Sequence, residues 1–303
     1  EATALLEAAR RARLTVDTYT SNNLMMMYAK EGDWEKTCLL LDQTKSPNTY
    51  SFNIALNACE KAYNGMQAQV LYGQMKRLEI APDIITINTL MSALGKCNFI
   101  AEVLAVFEEG LDLGLEPDRI TFGNLIFAHS RTSNCEAALL AIQMMKEKGV
   151  ARDRFAYNAA LIACEKCKEY QTAIDLSKEM REDSIVPDKA TYDILLRICR
   201  MARRWDWLRE ALGAAEREGV RVGDTALRNV LTACAEAGEF NLGLEVLARM
   251  DAAGCAPGER PLVLLLALAQ LGGEERNGPS LWRTRGARTV GSGTQSLERG
   301  ILT

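Results

Sequence analysis

The chain has 303 residues, of which 48% are hydrophobic and only 6% aromatic, with seven prolines and a formal net charge of −4. Abundant Ala and Leu with so little proline favour helices over a β-sandwich. A net negative charge repels polyanions, so a nucleic acid would have to be bound by a local basic surface. Nine cysteines scattered through helical patterns do not indicate a disulfide framework and suggest a reducing compartment. The longest apolar run near the end, residues 262–271, is too short to span a bilayer.

Residues 1–17 are predicted to form the second helix of a repeat that begins upstream, so a targeting segment would not be visible in this sequence. From residue 18 onward a turn signal recurs every 35 residues, most clearly as the Pro-Asp pairs that end at Asp83, Asp118 and Asp188. This register predicts seven repeats: 18–48, 49–83, 84–118, 119–153, 154–188, 189–223 and 224–258.

Each repeat is predicted to contain two helices. Methionine recurs at the 27th position and glycine at the 31st, where it is typical of a helix C-terminus. A single helical hairpin cannot bury its apolar face, so the repeats should stack into a solenoid with a concave side. Residues 259–273 are predicted as a partial repeat or capping helix, and residues 274–303, rich in Gly, Arg and Ser, as a disordered tail.

The repeats resemble the pentatricopeptide repeat family. The resemblance is carried by Thr86-Ile87-Asn88-Thr89-Leu90, by the segment from Ala156 to Leu161 and by the closing Pro-Asp turns. It covers residues 1 to about 271 and is strongest in 49–188, whereas the Trp-Leu-Gly-Tyr spacing of tetratricopeptide repeats is absent. The resemblance implies an all-α, right-handed superhelical solenoid of tandem helix-turn-helix repeats that binds single-stranded RNA at about one base per repeat.

In that family the fifth and last residues of each repeat read the base. The corresponding pairs here are Asn22 with Asn48, Asn53 with Asp83, Asn88 with Asp118, and Asn158 with Asp188. The resemblance implies a preference for uracil in the three Asn–Asp pairs and for either pyrimidine in the Asn–Asn pair. Gly123 offers no side chain, and the last two repeats match no reading pair.

The two positions of each pair have different alternative explanations. An aspartate after proline and before a helix can be only an N-cap. An asparagine in the first turns of a helix is a mediocre helix former, so its repetition is better explained by a base-facing role.

A column of cations occupies the 13th position of five consecutive repeats: Lys30, Lys61, Lys96, Arg131 and Lys166. Equivalent positions of stacked repeats line one face, so these charges should form a ladder suited to a phosphate backbone. The resemblance also implies phosphate contact at this position. The alternative is that they are helix-end cations that stabilise the macrodipole.

The second residues of the same five repeats are large and mostly apolar: Tyr19, Tyr50, Ile85, Ile120 and Phe155. The resemblance implies that bases stack between them, and packing between helices is an equal alternative.

Signatures of catalysis are missing from the sequence. Cys164 and Cys167 have no second cysteine pair at zinc spacing, His129 is the only histidine, and there is no phosphate loop or nucleophile elbow. We therefore expect no enzymatic activity, cofactor, metal, small-molecule substrate or membrane for this chain, and an enzyme that uses an appended domain outside this sequence stays a third alternative.

The leading functional prediction is a sequence-selective, U-preferring RNA-binding protein of organellar transcripts, acting in processing, stability or translation in a mitochondrion or chloroplast. Its partners would be single-stranded RNA and other organellar RNA-processing or ribosomal proteins. The alternative is a protein-binding scaffold, such as a structural subunit of an organellar ribosome, which the acidic composition and the last two repeats favour.

Overall fold

The computed structural model describes residues 17–258, 261–263 and 265–266. Fourteen complete helices form this part of the chain, and none of its residues lies in a β-strand. The helices are α1 (Thr18–Glu31), α2 (Trp34–Gln43), α3 (Thr49–Lys61), α4 (Gly65–Arg77), α5 (Ile84–Lys96), α6 (Ile100–Asp112), α7 (Arg119–Arg131), α8 (Cys135–Glu147), α9 (Arg154–Cys167), α10 (Tyr170–Glu182), α11 (Lys189–Met201), α12 (Trp205–Arg217), α13 (Asp224–Ala237) and α14 (Phe240–Ala252).

One pair of helices lies within each of the seven predicted ranges, so the prediction of an all-α fold built from tandem helix pairs is confirmed. We call the odd-numbered members first helices and the even-numbered members second helices. The predictions for residues 1–16 and 274–303 fall outside the described residues. Within 259–273, residues 261–263 and 265–266 are helical.

Six of the seven first helices begin where a polar side chain accepts an unpaired N–H group, whereas α13 begins after Gly223 without a side-chain cap. Asp17, Asn48, Asp83, Asp118, Asp153 and Asp188 are the N-caps, and each accepts a hydrogen bond from a backbone N–H in the first turn of its helix. Four of these ends, those of α3, α5, α7 and α11, form a capping box with a hydroxyl residue at the third helical position.

The 31st position is left-handed at the end of α4, α6, α8 and α10, which explains the recurrence of glycine there. Gly114 and Gly149 have φ of +72° and +66°, and Glu79 and Ser184 take the same conformation with φ of +55° and +62°. Left-handed backbone is costly for residues with a Cβ, so the turn geometry overrides residue preference at those two positions.

The chain divides into two compact units, residues 1–202 and 203–303. In the first unit each first helix packs on the first helix of the next repeat, from α1 through α3, α5, α7 and α9 to α11. Within the described part of this unit, no two second helices pack on each other to a comparable extent. The first helices therefore line a continuous surface, the first-helix face. In the second unit α13 packs against α14.

Fully buried large side chains, several of them at the fourth position of a repeat, form the core of the stack. They include Phe52, Met75, Leu90, Phe122, Tyr157 and Tyr192. Burying a side chain of this size contributes about 1.5–3 kcal/mol.

A buried ion network reinforces one junction. The Arg152 side chain is only 6% exposed, and its two terminal nitrogens lie 2.6 Å from Glu179 Oε1 and 2.6 Å from Asp183 Oδ2. The Tyr157 hydroxyl donates to the same Asp183 oxygen at 2.6 Å. Arg152 stands where neighbouring repeats have proline, and it ties the loop before α9 to α10.

Replacing Arg152 with Ala should lower the free energy of unfolding by about 2–4 kcal/mol, because it leaves two carboxylates without their buried partner. Lys146 is the matched control. Its ammonium lies 3.1 Å from the same Glu179, but its side chain is 64% exposed, so Lys146→Ala should cost about 1 kcal/mol or less. Urea denaturation followed by circular dichroism measures both. Equal losses in the two variants would contradict a structural role for the network.

Candidate nucleic-acid interface

The predicted stacking residues lie on the surface, at the first turn of successive first helices. Tyr19, Tyr50, Ile85, Ile120 and Phe155 each expose half or more of their side-chain surface. Large apolar side chains at equivalent positions form an exposed row that core packing does not require.

Between these positions, the predicted reading residues form hydrogen-bonded junctions across repeats. The Asn53 amide nitrogen donates to Asp83 Oδ1 at 3.1 Å, and the Thr86 hydroxyl lies 2.7 Å from the Asn53 amide oxygen. The Thr86 N–H donates to Asp83 Oδ1 at 2.8 Å, and the Asp83 N–H donates to the Thr86 hydroxyl at 3.2 Å. Asp83 is therefore both the cap of α5 and the partner of the preceding repeat's amide.

The next junction repeats this geometry. Asn88 donates to Asp118 Oδ1 at 3.0 Å, and the Thr121 hydroxyl lies 2.7 Å from the Asn88 amide oxygen. At the first junction, the Ser51 hydroxyl lies 2.7 Å from the Asn22 amide oxygen. The three amides sit in buried positions, so rotation of each amide is opposed by defined contacts.

The fourth junction differs. The Asn158 amide oxygen is buried and has no hydrogen-bond partner, and the Thr191 hydroxyl lies 2.9 Å from Asp188 Oδ1.

Sequence reasoning missed these hydroxyl groups. Five of the seven repeats have Ser or Thr at the third position: Thr20, Ser51, Thr86, Thr121 and Thr191. This column was visible in the sequence, but a capping box explains it without any link to the amide of the previous repeat.

The junction carboxylates are held ionised. Burial alone would raise the pKa of Asp83, but hydrogen bonds from the Thr86 N–H and the Asn53 amide oppose burial, and the pKa is lowered. Burial would also raise the pKa values of Asp118 and Asp188. Hydrogen bonds from the following helix outweigh burial, so both pKa values are lowered. An ionised carboxylate is acceptor-only, so it selects the N–H₂ end of the amide.

An open cleft of about 340 Å³ brings several predicted residues together. Its lining includes Tyr50, Ile85, Asn53, Lys30 and Lys61. We call it the Tyr50–Ile85 cleft. It places two exposed apolar side chains, an oriented amide and two cations around one space on the first-helix face.

The five predicted phosphate-binding cations lie exposed at the ends of their first helices, and four of them reach back to the preceding repeat. Lys61 donates to the Ala29 carbonyl at 3.2 Å, and Lys166 to the Ser130 carbonyl at 2.7 Å. Lys96 lies 3.0 Å from Glu60, which satisfies part of its charge.

Arg131 donates to the Asn98 amide oxygen at 3.1 Å and 3.0 Å. The partners of Lys61 and Lys166 are carbonyls in the last turn of the preceding first helix. These two lysines therefore stabilise the C-terminus of that helix, in addition to any role in anion binding.

The repeat with Gly123 differs at its fifth position, which has no side chain. A Cβ placed on Gly123 would lie 3.0 Å from Phe155 Cδ1, so the Phe155 ring already occupies the space of a fifth-position side chain. The ring also lies against Phe127, with centroids 6.2 Å apart. Repeats 189–223 and 224–258 have Asp193 and Arg228 at the fifth position and lack the junction amide.

Within 17–258 and the short segments after it, no three His, Cys, Asp or Glu side chains are grouped as metal ligands. No helix in that same part is long and apolar enough to cross a membrane.

Comparison with known families identifies the repeats. A model of the PPR repeat family matches residues 47–96 and 152–200, a model of the pentatricopeptide repeat domain matches 105–166, and a PPR repeat model matches 19–46 and 85–115. Together these matches run from residue 19 to residue 200, which is more than half of the chain.

Two kinds of relative are similar to this chain. A mitochondrial pentatricopeptide repeat-containing protein of Arabidopsis thaliana is 30% identical over 94 residues, covering 31% of this chain and 14% of that protein. The crystal structure of maize PPR10 has a TM-score of 0.64 at 24% identity and covers 91% of this chain and 40% of that one.

The structure of PPR10 in complex with an 18-nucleotide psaJ RNA element has a TM-score of 0.55 at 21% identity, covering 90% of this chain and 46% of that one. The chain therefore spans less than half the length of these relatives, and the structural likeness shows the fold.

The junction makes a pH-dependent prediction. The folded-state pKa of Asp83 lies below the ordinary 3.8, so its stabilising contacts are complete above about pH 3.8 and are lost as the pH falls through the folded value. The side-chain N–H₂ signals of Asn53 should be constant from pH 5 to 8 and titrate with a midpoint below 3.8 in NMR spectra. Asn134, which caps α8 through its oxygen, serves as a control that should not follow that midpoint. A midpoint above 3.8 for Asn53 would show that the carboxylate does not hold the amide.

Proposed function

We propose that this chain, which belongs to the pentatricopeptide repeat family, binds single-stranded RNA on its first-helix face and reads about one base per repeat. The observation that carries the proposal is the Tyr50–Ile85 cleft. It combines a sandwich of exposed apolar side chains, an oriented amide and cations at its rim. Apolar and aromatic faces stack on any base, and the amide supplies the selective contact.

The amide chemistry supports a pyrimidine. An asparagine side chain offers one donor group and one acceptor group, which match the edge of a pyrimidine base. In the Asn53 and Asn88 junctions the acidic partner holds the amide nitrogen. With the strand parallel to the repeats, repeats 18–188 would prefer pyrimidine-U-U-any-U. The fourth base is free because Gly123 provides no reading side chain.

The cation column supports backbone binding on an otherwise acidic protein. Lys30, Lys61 and Lys166 are exposed, and each lies at the C-terminal end of a first helix, at the 13th position of its repeat. The contacts of Lys61 and Lys166 with backbone carbonyls leave a positive charge at the surface, because a carbonyl does not neutralise an ammonium group. Repulsion from the net charge of −4 would then be offset locally.

The proposed biological role is the binding of an organellar transcript. The chain would shield, remodel or position an organellar transcript, in processing, stability or translation, without catalysing a reaction. A similar protein of Arabidopsis thaliana is mitochondrial, and maize PPR10 has been solved with bound RNA. Partners would include RNA-processing or ribosomal proteins of the mitochondrion or chloroplast.

The cation column predicts a change in salt dependence. Replacing Lys30, Lys61 and Lys166 with Ala should weaken binding to all short RNAs alike and reduce the slope of log K against log salt by about 0.7 per lost phosphate contact. The control replaces three exposed lysines of the second helices, Lys76, Lys146 and Lys178, which changes the net charge equally. Filter binding at several salt concentrations gives both slopes. If the two triple variants behave alike, the column serves only the helix ends.

Base choice provides a sharper test. Asn88→Ser should change the preference at the third base alone, because it removes the amide that faces that base, with a cost of about 1–3 kcal/mol for the lost contact. Asn134→Ser, which alters an amide at the start of α8 and retains a capping hydroxyl, should change no base. Competition binding with a pool of randomised pentamers measures all positions together. A profile that is flat at the third base, or that changes equally everywhere, would favour the scaffold function instead.

A further inference from the structure

We propose that Thr86 and Thr121 are positioning residues for base choice. Each hydroxyl fixes the orientation of the preceding repeat's reading amide and thereby selects uracil over cytosine. The inference rests on the proposed function, because it concerns how the same amides distinguish two pyrimidines. Both threonines are more deeply buried than the amides they contact, with exposures of 0% and 2% for Thr86 and Thr121 against 9% and 6% for Asn53 and Asn88.

The hydrogen-bond geometry assigns the hydroxyl proton. The Thr86 oxygen accepts the Asp83 N–H at 3.2 Å, and its own proton can point to the Asn53 oxygen at 2.7 Å or to Asp83 Oδ1 at 2.8 Å. Asp83 Oδ1 already accepts the Thr86 N–H and the Asn53 amide. The proton therefore goes to the amide oxygen, which has no other partner. The same arrangement holds Asn88, with the Thr121 hydroxyl 2.7 Å from its oxygen.

The orientation matters because the two pyrimidines present reversed patterns. Uracil has the acceptor O4 beside the donor N3–H, whereas cytosine has a donor amino group at C4 beside the acceptor N3. An amide with its N–H₂ and C=O side by side matches one pattern in one orientation and the other after a 180° flip. Asp83 can only accept and holds the nitrogen end, and Thr86 donates and holds the oxygen end. Both contacts therefore favour the same one of the two orientations of the Asn53 amide.

The fourth junction provides an internal contrast. Thr191 forms the same capping box as Thr86, and both hydroxyls lie close to the capping aspartate, at 2.9 Å and 2.8 Å. The difference is that the Asn158 oxygen has no hydrogen-bond partner. This amide lacks the oxygen-side anchor. The base read by Asn158 should therefore distinguish uracil from cytosine less strictly than the bases read by Asn53 and Asn88.

The experiment compares Thr86→Val, Thr86→Ser and Thr191→Val in the full chain. Each is tested against RNA pentamers that carry U or C at the second or fifth base. Thr86→Val should reduce the U-over-C ratio at the second base about fivefold, the factor that corresponds to one hydrogen bond of about 1 kcal/mol. The third base should not change. Thr86→Ser restores the hydroxyl and should retain the ratio.

Thr191→Val is the matched control, because it removes a capping-box hydroxyl of the same kind without touching a reading amide. It should lower thermal stability through the lost cap contact alone and leave the ratio at the fifth base unchanged. A full U-over-C ratio in Thr86→Val, or an equal loss at the fifth base in Thr191→Val, would overturn the inference while leaving RNA binding intact.

An RNA-free measurement separates the inference from the proposed function. The side-chain N–H₂ protons of Asn53 should exchange with solvent faster in Thr86→Val than in the wild type or in Thr86→Ser, because the amide is released at one end. Unchanged exchange would overturn the positioning role even if base choice shifted. A wild-type chain with no preference at the second base would reject base reading itself.

Discussion

The hydrogen bond between an acidic side chain and the first turn of the following helix sets the phase of the whole array. At Asp83, Asp118 and Asp188 the carboxylate decides which residue opens the first helix. Each residue along an α-helix turns by about 100°, so a start one residue later would rotate every side chain to another face. The exposed second residues, the buried third residues and the inward fifth residues all depend on this single start.

The same carboxylates are shared between folding and the proposed recognition. Asp83 accepts the backbone of its own helix and the amide of the preceding repeat through one oxygen. The aspartate of an Asn–Asp pair therefore cannot be altered for recognition without affecting a cap. At the first junction the cap is Asn48, whose side chain carries both a donor and an acceptor and so constrains a neighbouring amide less than a carboxylate does.

The sequence was sufficient to predict the fold because repetition reveals which residues are equivalent. The 35-residue register, the Pro-Asp turns and the glycine column predicted helix pairs, and these are confirmed. Equivalence also suggested which columns could face RNA, and those site assignments stay predictions. Periodicity could not reveal that the Thr86 hydroxyl contacts the amide of the preceding repeat whereas the equivalent Asn158 amide oxygen has no partner, because both threonines form the same cap.

Contacts between different columns were equally hidden from the sequence. Gly123 alone indicates a missing side chain, but only the packing shows that the Phe155 ring from the next repeat fills its place. The ties of Lys61 and Lys166 to carbonyls of the preceding helix are also invisible to a column count, because they join positions in two repeats. The local sequence pattern predicts the helices. The contacts that side chains make between repeats depend on residues that are neighbours only in the folded structure.

Each reading amide is completed by groups that belong to the next repeat, with Asn53 held by Asp83 and Thr86 as one example. In the proposed function, the unit that reads one base is then the junction between two helix pairs, and a pair with no following repeat holds only part of such a junction. Gene duplication can begin at any codon of the period and still copy a complete junction, provided that the inserted length is one whole repeat. A duplication that starts at any point within a repeat can therefore add one complete junction to the array.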